Sequence, residues 1–418
     1  MPTYLKPKPK ITDKDFMTTL LPLSTKTPTV SDHPEVELLL CCARTHIGPE
    51  TAARIRTLLQ QDINWAYLIQ TAAHHGVMPL LYCSLNTTCP EAVPKAILSQ
   101  LRNHFHSNAF RNLFLTKELL LLLNLFESNG IKAIPFKGSV LAAWVYGNLA
   151  LRQFGDLDIL VSRQDYLKTK NLLISQGYYE LPLNLNWEAQ MVHEKSRVNV
   201  DLHWGITPIE RPFKFNFERL WSRLEPVSLA GTTVKSLSSE DLLLILCVQI
   251  ARNCWEQNEQ LSQICDISEL LRVHPAMDWE HVIKQASKLG GKRMLFFGLL
   301  LASSLLGTAL PKEISPTVQA DAVVKALVEQ VCSRLLSAEY EVRNELEEKR
   351  FYLQVRERLQ DKLPYFLGRW LYFRIVPTPQ DWAFLALPDS LSSLYYLVKP
   401  IRLLGKWGLN PVKRLLGF

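Results

Sequence analysis

The stretch Arg152-Gln-Phe-Gly-Asp156-Leu-Asp158-Ile-Leu-Val161 sets two carboxylates at i and i+2 inside an apolar run. Successive residues of a strand alternate faces, so a strand here points Asp156 and Asp158 one way and Leu157, Ile159 and Val161 into a core. At the rise of a strand the two carboxylates stand about 7 Å apart, and they repel unless a cation lies between them. Hard divalent ions such as Mg2+ bind through one or two carboxylates together with substrate phosphates. The pair therefore points to metal-dependent phosphoryl or nucleotidyl transfer. The plainer alternative is an edge strand with a solvated polar face.

The flanking sequence favours the first reading. Upstream, Ile131-Lys-Ala-Ile-Pro-Phe136 reads as a short strand ending in Lys137-Gly138-Ser139, and Val140 to Tyr146 then reads as a helix that stops at Gly147. A Gly-Ser turn that opens a helix exposes backbone N–H groups able to hold a phosphate. Gly138 permits close approach, Ser139 adds a hydroxyl, and Lys137 and Arg152 are candidate phosphate cations. For both cations the alternative is a solvated surface charge.

A third acid lies on Arg197-Val-Asn-Val-Asp201-Leu-His203-Trp204. Alternation puts Val198, Val200, Leu202 and Trp204 on one face and Asn199, Asp201 and His203 on the other. Asp201 can serve as a metal ligand or as the base for an attacking hydroxyl. His203 shares its face, as a contact to phosphate or acceptor or as a hydrogen-bonded structural histidine. His193 reads as a residue of the polar turn Met191 to Ser196.

The order of these parts resembles the nucleotidyltransferase superfamily built on a DNA-polymerase-beta-like palm, which includes the kanamycin and minimal nucleotidyltransferases. The combination of Lys137-Gly138, Tyr146-Gly147, Arg152-x3-Asp-Leu-Asp-Ile-Leu-Val161, Gln176-Gly177-Tyr178 and Val200-Asp-Leu-His-Trp204 is similar to a large, mostly uncharacterised bacterial nucleotidyltransferase family. The resemblance covers about 111–205. It implies a triphosphate turn at Gly138 and Ser139, a metal pair at Asp156 and Asp158, and a third acid at Asp201. It also implies Mg2+ or Mn2+ as cofactor, a nucleoside triphosphate as substrate and a hydroxyl acceptor. Members of that family carry histidines after the leucine run of a later helix, whereas Leu246 to Trp255 has none.

The expected fold class is α+β, a small mixed-sheet palm flanked by N-terminal and C-terminal helical regions. The chain has 418 residues, 47% of them hydrophobic, enough for two or three domains. Residues 1–30, rich in Pro, Lys and Thr, read as a mobile tail. Residues 31–125 show helical periodicity up to the run Arg111–Phe126, which Asn129-Gly130 closes. Residues 126–225 form the palm, with Ser162-x-x-Asp165 capping a helix that ends near Gly177. Residues 226–418 read as helical, opening at the Ser238-x-x-Asp241 cap. Within them Met294–Leu310 is uncharged but rich in Gly and Ser, a buried core helix rather than a membrane span. Glu339–Arg358 reads as a solvated helix face.

The eight cysteines lack paired CxxC spacing and the first residues lack the apolar core of a signal peptide, so buried thiols in a cytoplasmic protein are expected. The net charge of +7 is concentrated at the end of the chain. Residues 399–418 hold Lys399, Arg402, Lys406, Lys413 and Arg414, no acid, and interleaved Leu, Trp and Phe. This segment is either an amphipathic anchor for an anionic membrane or a docked helix with exposed lysines. Nucleic acid is not an expected partner, because aromatic stacking motifs are absent. Two further readings stay open: a non-catalytic nucleotide-binding or scaffold protein on a retained palm, and helical flanks that dock a protein acceptor.

Overall fold

The computed structural model describes residues 33–182, 187–207, 213, 215–256, 258–335, 345–366, 377–385, 387, 391 and 394–407. Within these the chain is α+β: a five-stranded mixed sheet and a two-stranded hairpin, with helices before and after them. The tail 1–30 lies outside the described residues.

Five helices come first: α1 Pro34–Cys42, α2 Pro49–Leu58, α3 Trp65–His74, α4 Met78–Thr88 and α5 Lys95–Ser128. The run expected over Arg111–Phe126 is the second half of α5, a single 34-residue helix that spans about 50 Å at 1.5 Å per residue. Gly130, at φ +65°, turns the chain out of it. The sheet is built from β1 Ala133–Pro135, β2 Asp156–Val161, β3 Tyr178–Glu180, β4 Glu188–His193 and β5 Asn199–His203, in the order β1-β2-β5-β4-β3. Only β2 and β5 pair in parallel. The crossover between β2 and the later strands contains α7, Arg163–Ser175, where Ser162 Oγ accepts from the Asp165 N–H at 3.0 Å, as its sequence foretells. Between β1 and β2 sits α6, Gly138–Trp144.

The strands alternate as their sequences require. Leu157, Ile159 and Val161 of β2, and Val200, Leu202 and the adjacent Val198 and Trp204 of β5, enter a core with Leu115, Leu119, Leu122 and Phe126 of α5. β4 departs from expectation. His193 is its last strand residue rather than part of the turn, and it accepts from the Ser196 N–H at 3.0 Å through Nδ1. A second departure follows α8, Phe217–Ser222, where β6 Glu225–Leu229 and β7 Thr232–Ser236 form a hairpin in a stretch expected to be helical. Its two-residue turn, Ala230-Gly231, has both φ positive (49° and 83°), the conformation a tight hairpin demands. Ser236 Oγ donates to Pro135 O at 2.6 Å and ties the hairpin to β1.

The later helices are α9 Ser239–Glu256, α10 Leu261–Val273, α11 Trp279–Leu289, α12 Lys292–Leu306, α13 Ser315–Ala320, α14 Ala322–Leu335, α15 Glu345–Val355 and α16 Leu359–Phe366, with short helices Pro379–Phe384 and Tyr395–Trp407 beyond. Ser238 Oγ accepts from the Asp241 N–H at the start of α9. α12 is the core helix expected over Met294–Leu310, and a Cβ on its Gly298 would lie 2.6 Å from Cys247 Sγ of α9, so glycine sets how closely the two helices approach. Among the described residues no helix is long and apolar enough to cross a membrane. α15 differs from a solvated helix: Phe351, Tyr352 and Val355 are buried in a second, helical core. α6 has a side in each core, with Val140 and Ala142 in the sheet core and Leu141 in the helical one.

Two asparagines one turn apart on α5 fasten the loop that leads into β2. Asn108 Nδ2 donates to Ala150 O at 2.9 Å, and Asn112 Nδ2 donates to Leu149 O and Arg152 O, both at 2.7 Å. Asn112 is fully buried, so truncation strands two carbonyls that have lost their donor. Asn112→Ala is expected to lower stability by about 2 kcal/mol, read as a shift in urea midpoint at unchanged slope.

Candidate active site

The parallel pairing of β2 with β5 sets Asp158 opposite Asp201 and Asp156 opposite Asn199. Facing residues of paired strands share a side of the sheet, so Asp158 and Asp201 project together. β4 runs antiparallel on the far side of β5 and brings Glu188 opposite His203. The His203 ring then lies between two acids, with Nε2 3.1 Å from Asp158 Oδ1 and Nδ1 3.0 Å from Glu188 Oε2. Phe136 of the β1 end stands edge-on to this ring, with centroids 5.4 Å apart. The next residue, Lys137, places Nζ 3.6 Å from Asp158 Oδ1.

Burial and neighbours divide these acids. Burial alone would raise the Asp158 pKa, but Lys137 and the hydrogen bond from His203 outweigh it and hold the carboxyl well below the usual range. Burial raises Asp201 to about 8, with the Asp158 charge adding to the effect. Asp156 is raised for the same two reasons. Burial would depress His203, yet Glu188 and Asp158 override it and lift it to about 10, an imidazolium whose Nε2 donates to Asp158. Glu188 is lowered in turn, because His203 overcomes its burial. Of the three aspartates, Asp158 is thus firmly ionised, while burial makes Asp156 and Asp201 resist ionisation.

A divalent cation beside these oxygens would offset that imbalance. Ligand atoms of Asp158, Asp201 and His203 lie within 4.8 Å of one another. Both His203 nitrogens already face carboxylates, which leaves carboxylate oxygens as the donors the cluster offers. Asp156 stands two residues back along β2 and lies outside this cluster.

The Lys137-Gly138-Ser139 turn faces the same strand. Gly138 has φ +52°, and a Cβ there would meet Asp156 O at 3.3 Å and Phe154 Cδ2 at 3.5 Å, so only glycine fits against the β2 backbone. Ser139 is fully buried and its Oγ has no partner, an orphan at the first turn of α6. Arg152, expected as a phosphate cation, is placed differently. Its Nε and Nη2 donate to Asp266 Oδ1 and Oδ2 of α10, each at 2.8 Å, and Tyr146 OH donates to Asp266 Oδ1 at 2.7 Å. The fork is fully engaged, and what reaches Asp158 from Arg152 is charge rather than a hydrogen bond.

Two members of this constellation escape a reading of the sequence. Glu188 sits at i, i+2 from Gln190 in Glu-Ala-Gln-Met-Val-His193, an alternation that could have flagged β4. Asp266 lies 114 residues from Arg152 in sequence, and no local pattern marks the pair.

A buried acidic pair on parallel strands, backed by a Gly-Ser turn, on a small mixed sheet defines a nucleotidyl-transferring enzyme. The chain belongs to the uncharacterised nucleotidyltransferase family, whose pattern it matches over residues 61–307. Among solved structures, a lincosamide antibiotic adenylyltransferase, LnuA, bound to lincomycin, is 20% identical over 38% of this chain and 96% of its own, with a TM-score of 0.27. An antigenic nucleotidyltransferase-like protein from Paracoccidioides brasiliensis is 14% identical over 47% of this chain and 93% of its own, with a TM-score of 0.28. No curated protein matches the chain.

Removing Asp266 would leave the buried Arg152 guanidinium without its counter-ion. Asp266→Ala is expected to cost about 3–5 kcal/mol, and adding Arg152→Met to recover much of it. Chemical denaturation of the single and double variants checks both.

Proposed function

We propose that this protein moves a nucleoside monophosphate from a nucleoside triphosphate to a hydroxyl acceptor and releases pyrophosphate, with Mg2+ as cofactor. The observation that carries this reading is the register that sets Asp158 beside Asp201 on one face of the sheet. When bound there, Mg2+ would neutralise charge on the α-phosphate and on the leaving pyrophosphate.

The residues take distinct roles. Asp158 and Asp201 hold the cation, and Asp156, on the same face of β2, completes the acidic set. His203 keeps Asp158 ionised and aimed, and Glu188 on its far nitrogen fixes the ring in place. The backbone at Gly138 and the Ser139 hydroxyl receive the triphosphate. Lys137, 3.6 Å from Asp158, is the cation offered to the phosphates. Arg152 acts from behind, holding the entrance to β2 against α10 and adding positive potential at Asp158. Asp201, which burial raises to about 8, is the candidate base for the acceptor's proton. Catalysis in this arrangement is positioning and charge stabilisation with no covalent intermediate on the protein. Eight free cysteines, six of them buried, agree with a reducing, cytoplasmic setting.

The test is pyrophosphate release from each of the four nucleoside triphosphates with Mg2+ or Mn2+, with cell extract supplying the acceptor. Asp158→Asn and Asp201→Asn are each expected to lower the rate by about a thousandfold or more while keeping the wild-type circular dichroism. Wild-type rates in either variant would sink the assignment. Metal-nucleotide binding by calorimetry with no release under any condition would favour a non-catalytic binding protein on a retained palm.

A further inference from the structure

Helix α5 buries one apolar side and leaves a second one open. Leu115, Leu119, Leu122 and Phe126 enter the sheet core. Phe110, Leu113, Phe114 and Leu121, at i, i+3, i+4 and i+11, lie on the other side of the helix and are 79%, 55%, 40% and 53% exposed. Single exposed apolar residues are ordinary, but a stripe about 17 Å long on one helix, at 1.5 Å per residue, marks a surface that something covers.

The charges beside the stripe select the cover. Arg111 and Glu118 stand seven residues apart, hence two turns from each other on the same flank. Among the described residues neither side chain has a hydrogen-bond or ion-pair partner. A two-fold axis crossing the helix midway between them, next to Phe114, lays a second copy of α5 antiparallel on the first. It sets Arg111 opposite Glu118 of the second copy and Glu118 opposite its Arg111, so one sequence supplies both halves of each ion pair. The same axis puts Phe114 beside its own counterpart and brings Phe110 within one turn of Leu121 across the seam. Lys117, inside the stripe, comes within one turn of the facing Phe114, whose ring accepts an ammonium. Mixed charge of this kind does not match a lipid surface of one sign. The exposed apolar residues of helix Tyr395–Trp407 lack such a complement, because Lys399 is buried and Arg402 Nε donates to the buried Asp381 Oδ1 at 2.5 Å. Residues 408–418, the rest of the expected basic segment, lie outside the described residues.

We propose that the open side of α5 pairs antiparallel with the same side of a second copy, making the protein a two-fold dimer. The pairing does not depend on the transfer reaction, although the seam runs beside its site. Arg111 Nη2 lies 3.3 Å from where a Cβ on Gly155, the residue before Asp156, would stand. One helix pair is a small interface, so the dimer is expected to form at roughly micromolar concentrations and above. Sedimentation velocity of the full chain over a range of concentrations tests it. The wild type is expected to pass from monomer to dimer, and Phe110→Glu/Phe114→Glu, both at exposed positions, to stay monomeric with unchanged circular dichroism. Arg111→Glu and Glu118→Arg each set like charges opposite one another and are expected to weaken the dimer about tenfold. Mixed together, these two variants restore both ion pairs and are expected to associate as the wild type does. A wild type that stays monomeric at its highest soluble concentration overturns the proposal, as does a dimer that Phe110→Glu/Phe114→Glu leaves intact. A mixture of the charge variants that associates no better than either alone overturns the antiparallel pairing, and the proposal with it. A monomeric wild type that pellets with lipid vesicles unless Phe110 and Phe114 are replaced overturns it in favour of a membrane.

Discussion

The constraint on which the structure turns is the parallel pairing of β2 with β5. It puts two carboxylates side by side in a setting where burial disfavours charge, an arrangement that costs stability unless something compensates. Part of the compensation is built in. His203, clamped between Asp158 and Glu188, supplies one positive charge, and Lys137 supplies another. At Asp201 that compensation does not overcome burial and the neighbouring Asp158 charge, which hold it near 8. Such a pair is compatible with a divalent cation beside it.

The rest of the architecture keeps those strands in register. α5 grips the loop before β2 through Asn108 and Asn112, and α10 grips the same loop through Asp266, Arg152 and Tyr146. The loop is thus fastened from two sides just before the first acid, although it contains no regular structure of its own. Buried polar contacts of this kind contribute little net stability but punish alternative arrangements, since a displaced loop would strand a guanidinium and several carbonyls.

Much of this was legible in the sequence, and the limits are physical. The faces of β2 and β5 follow from strict alternation around Asp156, Asp158 and Asp201, and the caps at Ser162 and Ser238 follow from local chemistry. The start of α6 was legible because a glycine and a small hydroxyl residue after an apolar strand mark a helix beginning. The hairpin at 225–236 was missed: Val227, Leu229 and Val234 alternate over strands too short to compete with the long apolar run of α9. Glu188 and the Asp266 partner of Arg152 are tertiary facts. Each acid is unremarkable where it stands in the sequence and acquires its role only when a distant element folds against it. Arg152 shows the converse. Its position before the acid strand suggested a phosphate ligand, yet a buried carboxylate on α10 claims its fork.

α6 has a consequence for what can be cut from this chain. One side of this short helix packs into the sheet core and the other into the helical core, and the turn at its start is the one that faces the acids. A fragment trimmed to the strands, from 126 to 225, would uncover Ile134, Phe136, Leu141, Val145, Tyr146 and Leu160, all of which lie against the helical core. Phe136 and Leu141 flank the Gly-Ser turn on either side in sequence. A piece that keeps those residues covered therefore includes the helices they pack against, which serve the sheet as packing partners and not only as flanks.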